Sequence, residues 1–441
     1  MPKPIVAVVG RPNVGKSTLV NRLAEAREAI VHESRGVTRD RSYHEADWNG
    51  REFVIIDTGG IESEKSDDVF APRIRQQALA AANEADVILF VVDGRTGATE
   101  EDEEVARILR RTDKPVFLLV NKLDNPEREE AVWDFWSLGV GEPRALSALH
   151  GHGTGDLLDE VVACFPEEVD ESALYPEGVC NLAIIGRPNV GKSSLVNRIC
   201  GDERSIVSDV AGTTRDAVDV MVEHDGELFR IVDTAGMRKR SAVTEDVEYY
   251  SMVRGLRAID QADLCLLVLD SSEGMTEQDQ KIATMAIERG CGLVVLLNKW
   301  DLLKNQEQAR EDCLMSVDRR LDFAPWAPRL RISALTGRSV DKIWDFVAQV
   351  RANRCRQVPT SEVNNLLQRL RETGHTAIEG KKRLRLMYGT QTATAPPVFA
   401  LFCNHPEVAD DNYRRYLENR FREAFDFEGT PIRLRFRRKD A

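Results

Sequence analysis

Two eight-residue loops in this chain have the composition that cradles a polyphosphate. Gly10-Arg-Pro-Asn-Val-Gly-Lys-Ser17 recurs unchanged as Gly186-Arg-Pro-Asn-Val-Gly-Lys-Ser193, each after a short apolar run and before a helical pattern. In a Gly-x-x-x-x-Gly-Lys-Ser turn, glycine lets backbone N–H groups approach phosphate, and the helix N-terminus adds positive potential. Lys16 and Lys192 then contact the β and γ phosphates. The hydroxyls of Ser17 and Ser193 suit Mg2+, and Asp57 of Asp57-x-x-Gly60, with Asp233 of Asp233-x-x-Gly236, would hold that ion through its water shell. A glycine-rich helix cap is the simpler alternative. The Lys-Ser ending, the preceding strand and the second copy argue against it.

A second pair of motifs selects the base. Asn121-Lys-Leu-Asp124 and Asn298-Lys-Trp-Asp301 each follow a buried apolar run. The carboxylate of Asp124 or Asp301 can accept from guanine N1–H and N2–H2, which adenine cannot both supply. A buried carboxylate left unpaired costs ~1–3 kcal/mol or more, enough to discriminate strongly. Asn121 and Asn298 would tie the base to the phosphate loop, with Lys122 and Lys299 over the base plane. The first GTP site then comprises Gly10, Arg11, Pro12, Asn13, Val14, Gly15, Lys16, Ser17, Thr18, Asp57, Thr58, Gly59, Gly60, Ile61, Asn121, Lys122, Leu123, Asp124, Ser147 and Ala148. The second comprises Gly186, Arg187, Pro188, Asn189, Val190, Gly191, Lys192, Ser193, Ser194, Asp233, Thr234, Ala235, Gly236, Met237, Asn298, Lys299, Trp300, Asp301, Ser333 and Ala334.

The loop after the phosphate-binding helix supplies switch candidates. Gly36-Val-Thr-Arg-Asp40 matches Gly212-Thr-Thr-Arg-Asp216, so Thr38 and Thr214 are expected to close on Mg2+ and the γ-phosphate. Thr213 competes in the second copy, because Val37 stands at its position in the first. Asp40 and Asp216 are read as organising the switch, with a catalytic role as the alternative. Many GTPases orient the attacking water with a Gln after Asp-x-x-Gly, but Ile61 and Met237 occupy that position. The runs that follow differ: acidic through Asp68 in the first copy, basic through Met237-Arg-Lys-Arg-Ser241 in the second.

These motifs need elements to position them, and the repeat says which. The phosphate, switch and Asp-x-x-Gly motifs recur at an offset of 176 residues, Asn-Lys-x-Asp at 177 and Ser-Ala-Leu at 186, all in the same order. That is a duplicated domain of ~160 residues, with length changes in loops. The continuous apolar runs 5–9, 53–56, 87–92 and 116–120, and in the same places of the second copy 182–185, 264–269 and 293–297 with 229–232 interrupted by Arg230, read as parallel strands covered on both faces. Gly10, Asp57, Asp93 and Asn121 lie just past strand C-termini, where open parallel sheets bind ligands. The fold class expected is α/β: two tandem P-loop GTPase domains, then a small α+β domain. The expected boundaries are 1–165, an acidic linker at 166–179 that would let one domain move, 180–357 and 358–441.

The 441 residues, 42% hydrophobic and 30% charged, exclude disorder, and no apolar stretch approaches the ~20 residues that span a bilayer. A cytoplasmic protein is expected, with its eight scattered cysteines as reduced thiols. Net charge is −13, yet residues 359–441 hold 15 Lys+Arg against 11 Asp+Glu, so the tail is the basic part. There the pattern reads helix (361–373), strand (384–393), strand (398–404), amphipathic helix (411–425) and strand (432–438).

With two identical phosphate loops, Gly-x-Thr-Arg-Asp in each copy, Tyr413-Arg-Arg-Tyr-Leu-Glu-Asn-Arg420 and Gly429-Thr-Pro-Ile-Arg433, the chain resembles the translation-factor-related GTPases. More narrowly, it resembles their Der/EngA family of double-GTPase ribosome-assembly proteins, over its whole length. The resemblance implies a KH-like third domain and a switch of slow intrinsic turnover. It also implies binding of ribosomal RNA and pre-ribosomes in maturation of the large (50S) subunit. In related GTPases with a hydrophobic residue after Asp-x-x-Gly, a loop Asn helps bind K+; Asn13 and Asn189 match it, although each could simply stabilise its turn. KH domains usually grip RNA with Gly-x-x-Gly, and none is found in the tail. That leaves Lys381, Lys382, Arg383, Arg414, Arg415, Arg433, Arg435, Arg437 and Arg438 as candidate phosphate contacts, or as a solvated basic face.

Other features read as structural. His150-Gly-His152 is a turn rather than a metal pair, and Glu100-Glu-Asp-Glu-Glu104 the solvated start of a helix. Two other functions compete with ribosome maturation. A GTPase serving tRNA modification would need a further catalytic domain, and a membrane-associated GTPase is disfavoured by the missing apolar spans.

Overall fold

The computed structural model describes residues 3–25, 43–57, 70–123, 126–166, 178–202, 205–206, 219–234, 248–374, 376–380 and 382–438. Residues 1–170 and 171–441 form two compact units.

The first unit runs β1 (Ile5–Val9), α1 (Lys16–Glu25), β2 (Tyr43–Trp48), β3 (Arg51–Asp57), α2 (Phe70–Glu84) and β4 (Val87–Asp93). It continues with α3 (Glu100–Leu109), β5 (Val116–Asn121), a 3₁₀ helix (Pro126–Leu138), β6 (Pro143–Ala145) and α4 (Thr154–Ala163). The six strands lie in the order β2-β3-β1-β4-β5-β6. All neighbours are parallel except β2 and β3, which form an antiparallel hairpin. Every residue of β1 and β4 is buried, as strands covered on both faces require. Alternate residues Val6, Val8, Leu89 and Val91 pack on one face against Leu19 and Leu23 of α1 and Leu158 and Val161 of α4.

The second unit repeats this plan as β7 (Cys180–Ile185), α5 (Lys192–Asp202), β8 (Ser205–Ile206), β9 (Val220–His224), β10 (Glu227–Ile231), α6 (Glu248–Gln261) and β11 (Leu264–Asp270). Then come α7 (Glu277–Glu288), β12 (Gly292–Asn298), α8 (Glu307–Arg320), β13 (Arg329–Arg331) and α9 (Ile343–Arg354). Its sheet order is β13-β12-β11-β7-β10-β9-β8. The period of two divides β11 between two cores: Leu264, Leu266 and Val268 on one face, Cys265, Leu267 and Leu269 on the other. Burial pushes the Cys180 thiol up to about 12 and holds Cys265 well above the ordinary thiol range, so these are packing groups.

The same unit ends in an α+β domain: α10 (Thr360–Glu372), a short hairpin β14 (Ile378–Glu379) and β15 (Lys382–Arg383), β16 (Leu386–Ala393), β17 (Val398–Cys403), α11 (Asp411–Phe425) and β18 (Arg433–Arg438). In the sheet β16-β17-β18, the first pair is antiparallel and the second parallel. Leu367 and Leu370 of α10 and Leu417 and Phe421 of α11 cover Phe399, Leu401, Leu434 and Phe436.

This domain is fastened to the one before it through Gly429. The Gly429 N–H donates to the Trp326 carbonyl at 2.9 Å, and its own carbonyl accepts from the Leu293 N–H at 2.8 Å, at the start of β12. At φ 76°, a Cβ there would stand 2.1 Å from a Val350 methyl, so glycine is required twice over. Arg422 lies 4.3 Å over the Trp326 ring while donating to the Phe427 and Thr430 carbonyls, and burial lowers its pKa to about 10. Arg433 donates to the Glu288 carbonyl at 2.6 Å.

Candidate nucleotide sites

Both phosphate loops have the form their sequence demands. Gly10, Arg11, Pro12, Asn13, Val14 and Gly15 follow β1, and Lys16, Ser17 and Thr18 open α1; Gly186 to Ser194 repeat this between β7 and α5. A Cβ on Gly15 would stand 2.3 Å from the amide of Asn121, and one on Gly191 equally close to Asn298. Asn13 (φ 65°) and Asn189 (φ 63°) take the left-handed backbone that Asn tolerates. The Lys16 ammonium donates to the Gly10 and Arg11 carbonyls at 2.7 and 2.9 Å, and Lys192 to those of Gly186 and Arg187 at 2.6 and 2.5 Å. Each lysine thus stands over the mouth of its own loop.

The loop arginine is held by a carboxylate that sequence reading assigned to a solvated helix start. Asp102 is fully buried: its side chain closes a capping box with Thr99 and lies 3.4 Å from Arg11 Nε, while Arg11 also reaches the Thr96 hydroxyl. Asp279 does the same in the second copy, capping with Thr276 and receiving Arg187 Nε at 3.0 Å. Glu273, where the first copy has Thr96, adds a second carboxylate at 2.7 Å. Burial alone would weaken the Arg187 cation, but Glu273 and Asp279 together raise its pKa. The legible signal was Thr-x-x-Asp, a capping-box pattern inside the charged run.

The base side is assembled by the asparagines. Asn121 donates to the Val14 carbonyl at 2.8 Å and accepts from the Ala148 N–H at 3.0 Å; Asn298 does so with Val190 and Ala334 at 2.8 and 2.9 Å. One side chain thereby binds the phosphate loop to Ser147-Ala148 or Ser333-Ala334, whose serines are buried. Lys122 and Lys299 sit at φ 68° and 60°. Lys122 bridges the Asn13 carbonyl and Asp93 at 2.6 Å each, and Lys299 pairs with Asp270. Burial would raise both aspartates, but hydrogen bonds from these lysines and from the backbone at Arg95 or Ser272 hold them below the ordinary carboxylate range. Leu123 and Trp300 are buried beside them, Arg331 lying 5.0 Å over the Trp300 ring. Asp301 Oδ1 is buried with no hydrogen-bond partner among the described residues, the state of an acceptor aimed at a ligand's N–H groups.

The metal-side residues differ between copies. Ser17 Oγ donates to Asp57 Oδ2 at 2.6 Å, so two hard oxygens of the kind Mg2+ takes stand together where β3 meets α1, and these residues fit the ion. Asp233 instead has φ 54°, and its N–H donates to Asp219 at 3.0 Å; Asp219 is itself paired with the buried Arg230 at 2.6 Å. Thr234 is buried next to it. Thr38, Thr58, Gly59, Gly60, Ile61, Asp124, Thr214, Ala235, Gly236, Met237 and Lys381 lie outside the described residues, as do Val37, Asp40, Thr213, Asp216, both switch runs and most of the acidic linker.

Of the basic candidates, Lys382, Arg383, Arg415, Arg435, Arg437 and Arg438 are exposed. Arg414 and Arg433 have structural work: Arg414 donates to the Ala409 carbonyl and covers the Phe436 ring, and Arg433 ties down its domain. His152 bridges to Ser147 in a turn, and no group of three or more His, Cys, Asp or Glu side chains able to hold a metal occurs among the described residues. No helix there is long and apolar enough to cross a membrane.

Two mostly parallel sheets, each with a phosphate loop, an Asn-Lys turn and a Ser-Ala loop at strand C-termini, define a tandem P-loop GTPase. Residues 5–122 and 181–299 match a family described as 50S ribosome-binding GTPase, and residues 357–437 one described as KH-domain-like of EngA bacterial GTPase enzymes, C-terminal. GTPase Der of Heliobacterium modesticaldum is 49% identical over 440 residues, covering 100% of this chain and 99% of that protein. GTPase Der of Desulforudis audaxviator is 49% identical over 441 residues, and that of Listeria monocytogenes serotype 4a 46% over 439, each covering 100% of both chains. The chain belongs to the Der GTPase family, and it binds and hydrolyses GTP.

Proposed function

We propose that the chain is a GTP-driven switch in the cytoplasm that docks on ribosomal RNA and pre-ribosomes and promotes maturation of the large (50S) subunit. What carries the reading is the match of both GTPase domains to a family described as 50S ribosome-binding, joined to a C-terminal domain with an exposed arginine edge. Arg435, Arg437 and Arg438 on β18, with Arg415, Lys382 and Arg383, supply phosphate contacts without a Gly-x-x-Gly loop. The domains are 1–165, 180–357 and 358–441, joined by the linker at 166–179.

At each site, loop N–H groups and Lys16 or Lys192 bind the phosphates. Ser17 and Asp57, or Ser193 and Asp233, would hold Mg2+, and Thr38 and Thr214 of the switch would join them. Mg2+, when bound, neutralises charge on the phosphates. Asp124 and Asp301 read guanine; for Asp301 the orphaned buried oxygen supports this. With Ile61 and Met237 in place of a water-orienting Gln, intrinsic turnover is slow, and K+ held near Asn13 or Asn189 raises it. Both asparagines share a left-handed backbone, so the two loops bend alike.

Co-sedimentation with ribosomal subunits tests the switch. Binding to 50S particles is expected with a non-hydrolysable GTP analogue and to weaken with GDP; binding indifferent to nucleotide refutes it. For the monovalent ion, kcat in KCl should exceed that in NaCl severalfold, and equal rates remove K+ from the mechanism.

A further inference from the structure

Two tryptophans stand on the first unit where its twin carries charge. The 3₁₀ helix Pro126–Leu138 turns once every three residues. Val132, Phe135 and Leu138 therefore line one side and are 5%, 1% and 1% exposed. Trp133 and Trp136 line another at 56% and 49%, their rings 6.3 Å apart and within 10° of parallel.

The duplication provides an internal control. Counted back from Ser147 and Ser333, Phe135 and Leu138 fall on Leu321 and Ala324, which are buried as well. Trp133 and Trp136 fall on Arg319 and Asp322, both exposed. The fold requires apolar residues at the first pair of positions and accepts charge at the second. A paired aromatic surface that packing does not require marks a contact site.

Charge selects the occupant. Glu127, Glu129, Glu130 and Asp134 outnumber Arg128 in this helix. Residues 1–170 hold 20 Lys+Arg against 33 Asp+Glu, so the whole net charge of −13 resides in this unit. Such a field repels nucleic-acid phosphates and attracts a basic polypeptide. Tryptophan faces favour guanidinium over other groups. The second unit displays that pairing in its corresponding region, where Arg422 lies 4.3 Å over Trp326. We propose that Trp133 and Trp136 are a docking site for an arginine-bearing basic segment of a partner protein, a proposal independent of the ribosome reading.

The test uses the full chain and a short synthetic peptide of alternating arginine and glycine. The double variant W133R/W136D, which installs the twin's residues, should bind it about tenfold more weakly with GTP turnover unchanged at both sites. A lysine-glycine peptide of equal charge should bind the wild type severalfold less well. In the wild type labelled with 5-fluorotryptophan, the Trp133 and Trp136 19F resonances should shift on adding the arginine peptide. Equal affinity of variant and wild type overturns the proposal. So do unmoved 19F resonances, or resonances shifted by single-stranded RNA and not by peptide.

Discussion

The two GTPase domains build their phosphate loops and Asn-Lys turns from the same parts and differ in what those parts lean on. Asn121 and Asn298 make the same two hydrogen bonds to within 0.1 Å, and both loop lysines rest on the same pair of carbonyls. Around that core the copies diverge. Among the described residues Arg11 ion-pairs with one carboxylate and Arg187 with two; Asp57 ends a strand and bonds Ser17, whereas Asp233 turns left-handed onto Asp219. The second domain also carries the C-terminal domain, and the first a bare tryptophan pair. The duplication has thus kept the hydrogen bonds that tie each loop together and altered the groups around them.

The comparison can be broken most sharply at the lysines. Lys16→Ala and Lys192→Ala should each weaken nucleotide at its own site about 100-fold, ~2.7 kcal/mol. Labelled GDP should then fall from two molecules bound per chain to one, and loss of both would show the sites to be interdependent. Next in size is Gly429→Ala, which sets a methyl against Val350 at a positive φ and should cost ~1–3 kcal/mol. Hydrogen exchange at the Leu293 amide should accelerate, with the first unit unchanged; an unaltered Leu293 would show that the joint rests elsewhere.

Smaller effects sharpen the contrast. Asp102→Asn and Asp279→Asn keep the helix cap and remove a buried charge facing an arginine. The loss should be ~1 kcal/mol larger for Asp102, because Glu273 still partners Arg187. Urea unfolding measures this, and equal losses erase the asymmetry. Smallest is the acid limb. Asp93 and Asp270 have depressed carboxyl pKa values, so their contribution is complete above the ordinary carboxylate value of ~3.9 and disappears as pH falls through the lower folded value. Asp93→Asn or Asp270→Asn should flatten stability against pH below about pH 4 and leave its slope at neutral pH unchanged.

Much of this was legible. Apolar runs at 87–92 and 264–269 became the buried centres of their sheets, because parallel strands covered on both faces leave no polar position. Motif spacing placed the loops at strand ends. Less legible were residues whose role depends on a distant partner. Asp102 sits among four glutamates, and only its fit beneath Arg11 buries it. Asp219 and Arg230 are ordinary charges until the β9–β10 hairpin sets them beside Asp233. Arg433 belongs to a basic alternation, yet the fold turns it onto Glu288. Trp133 and Trp136 carry no motif that marks them, and only the three-residue period that puts Phe135 and Leu138 inside sets the two tryptophans on the surface.

The joint at Gly429 carries a mechanical consequence. It grips β12 at Leu293, five residues before Asn298, so ~17 Å of fully buried strand separates the grip from the asparagine that ties Val190 to Ala334. A pull on the C-terminal domain is therefore delivered along a buried strand whose far tip is the turn opened by Asn298.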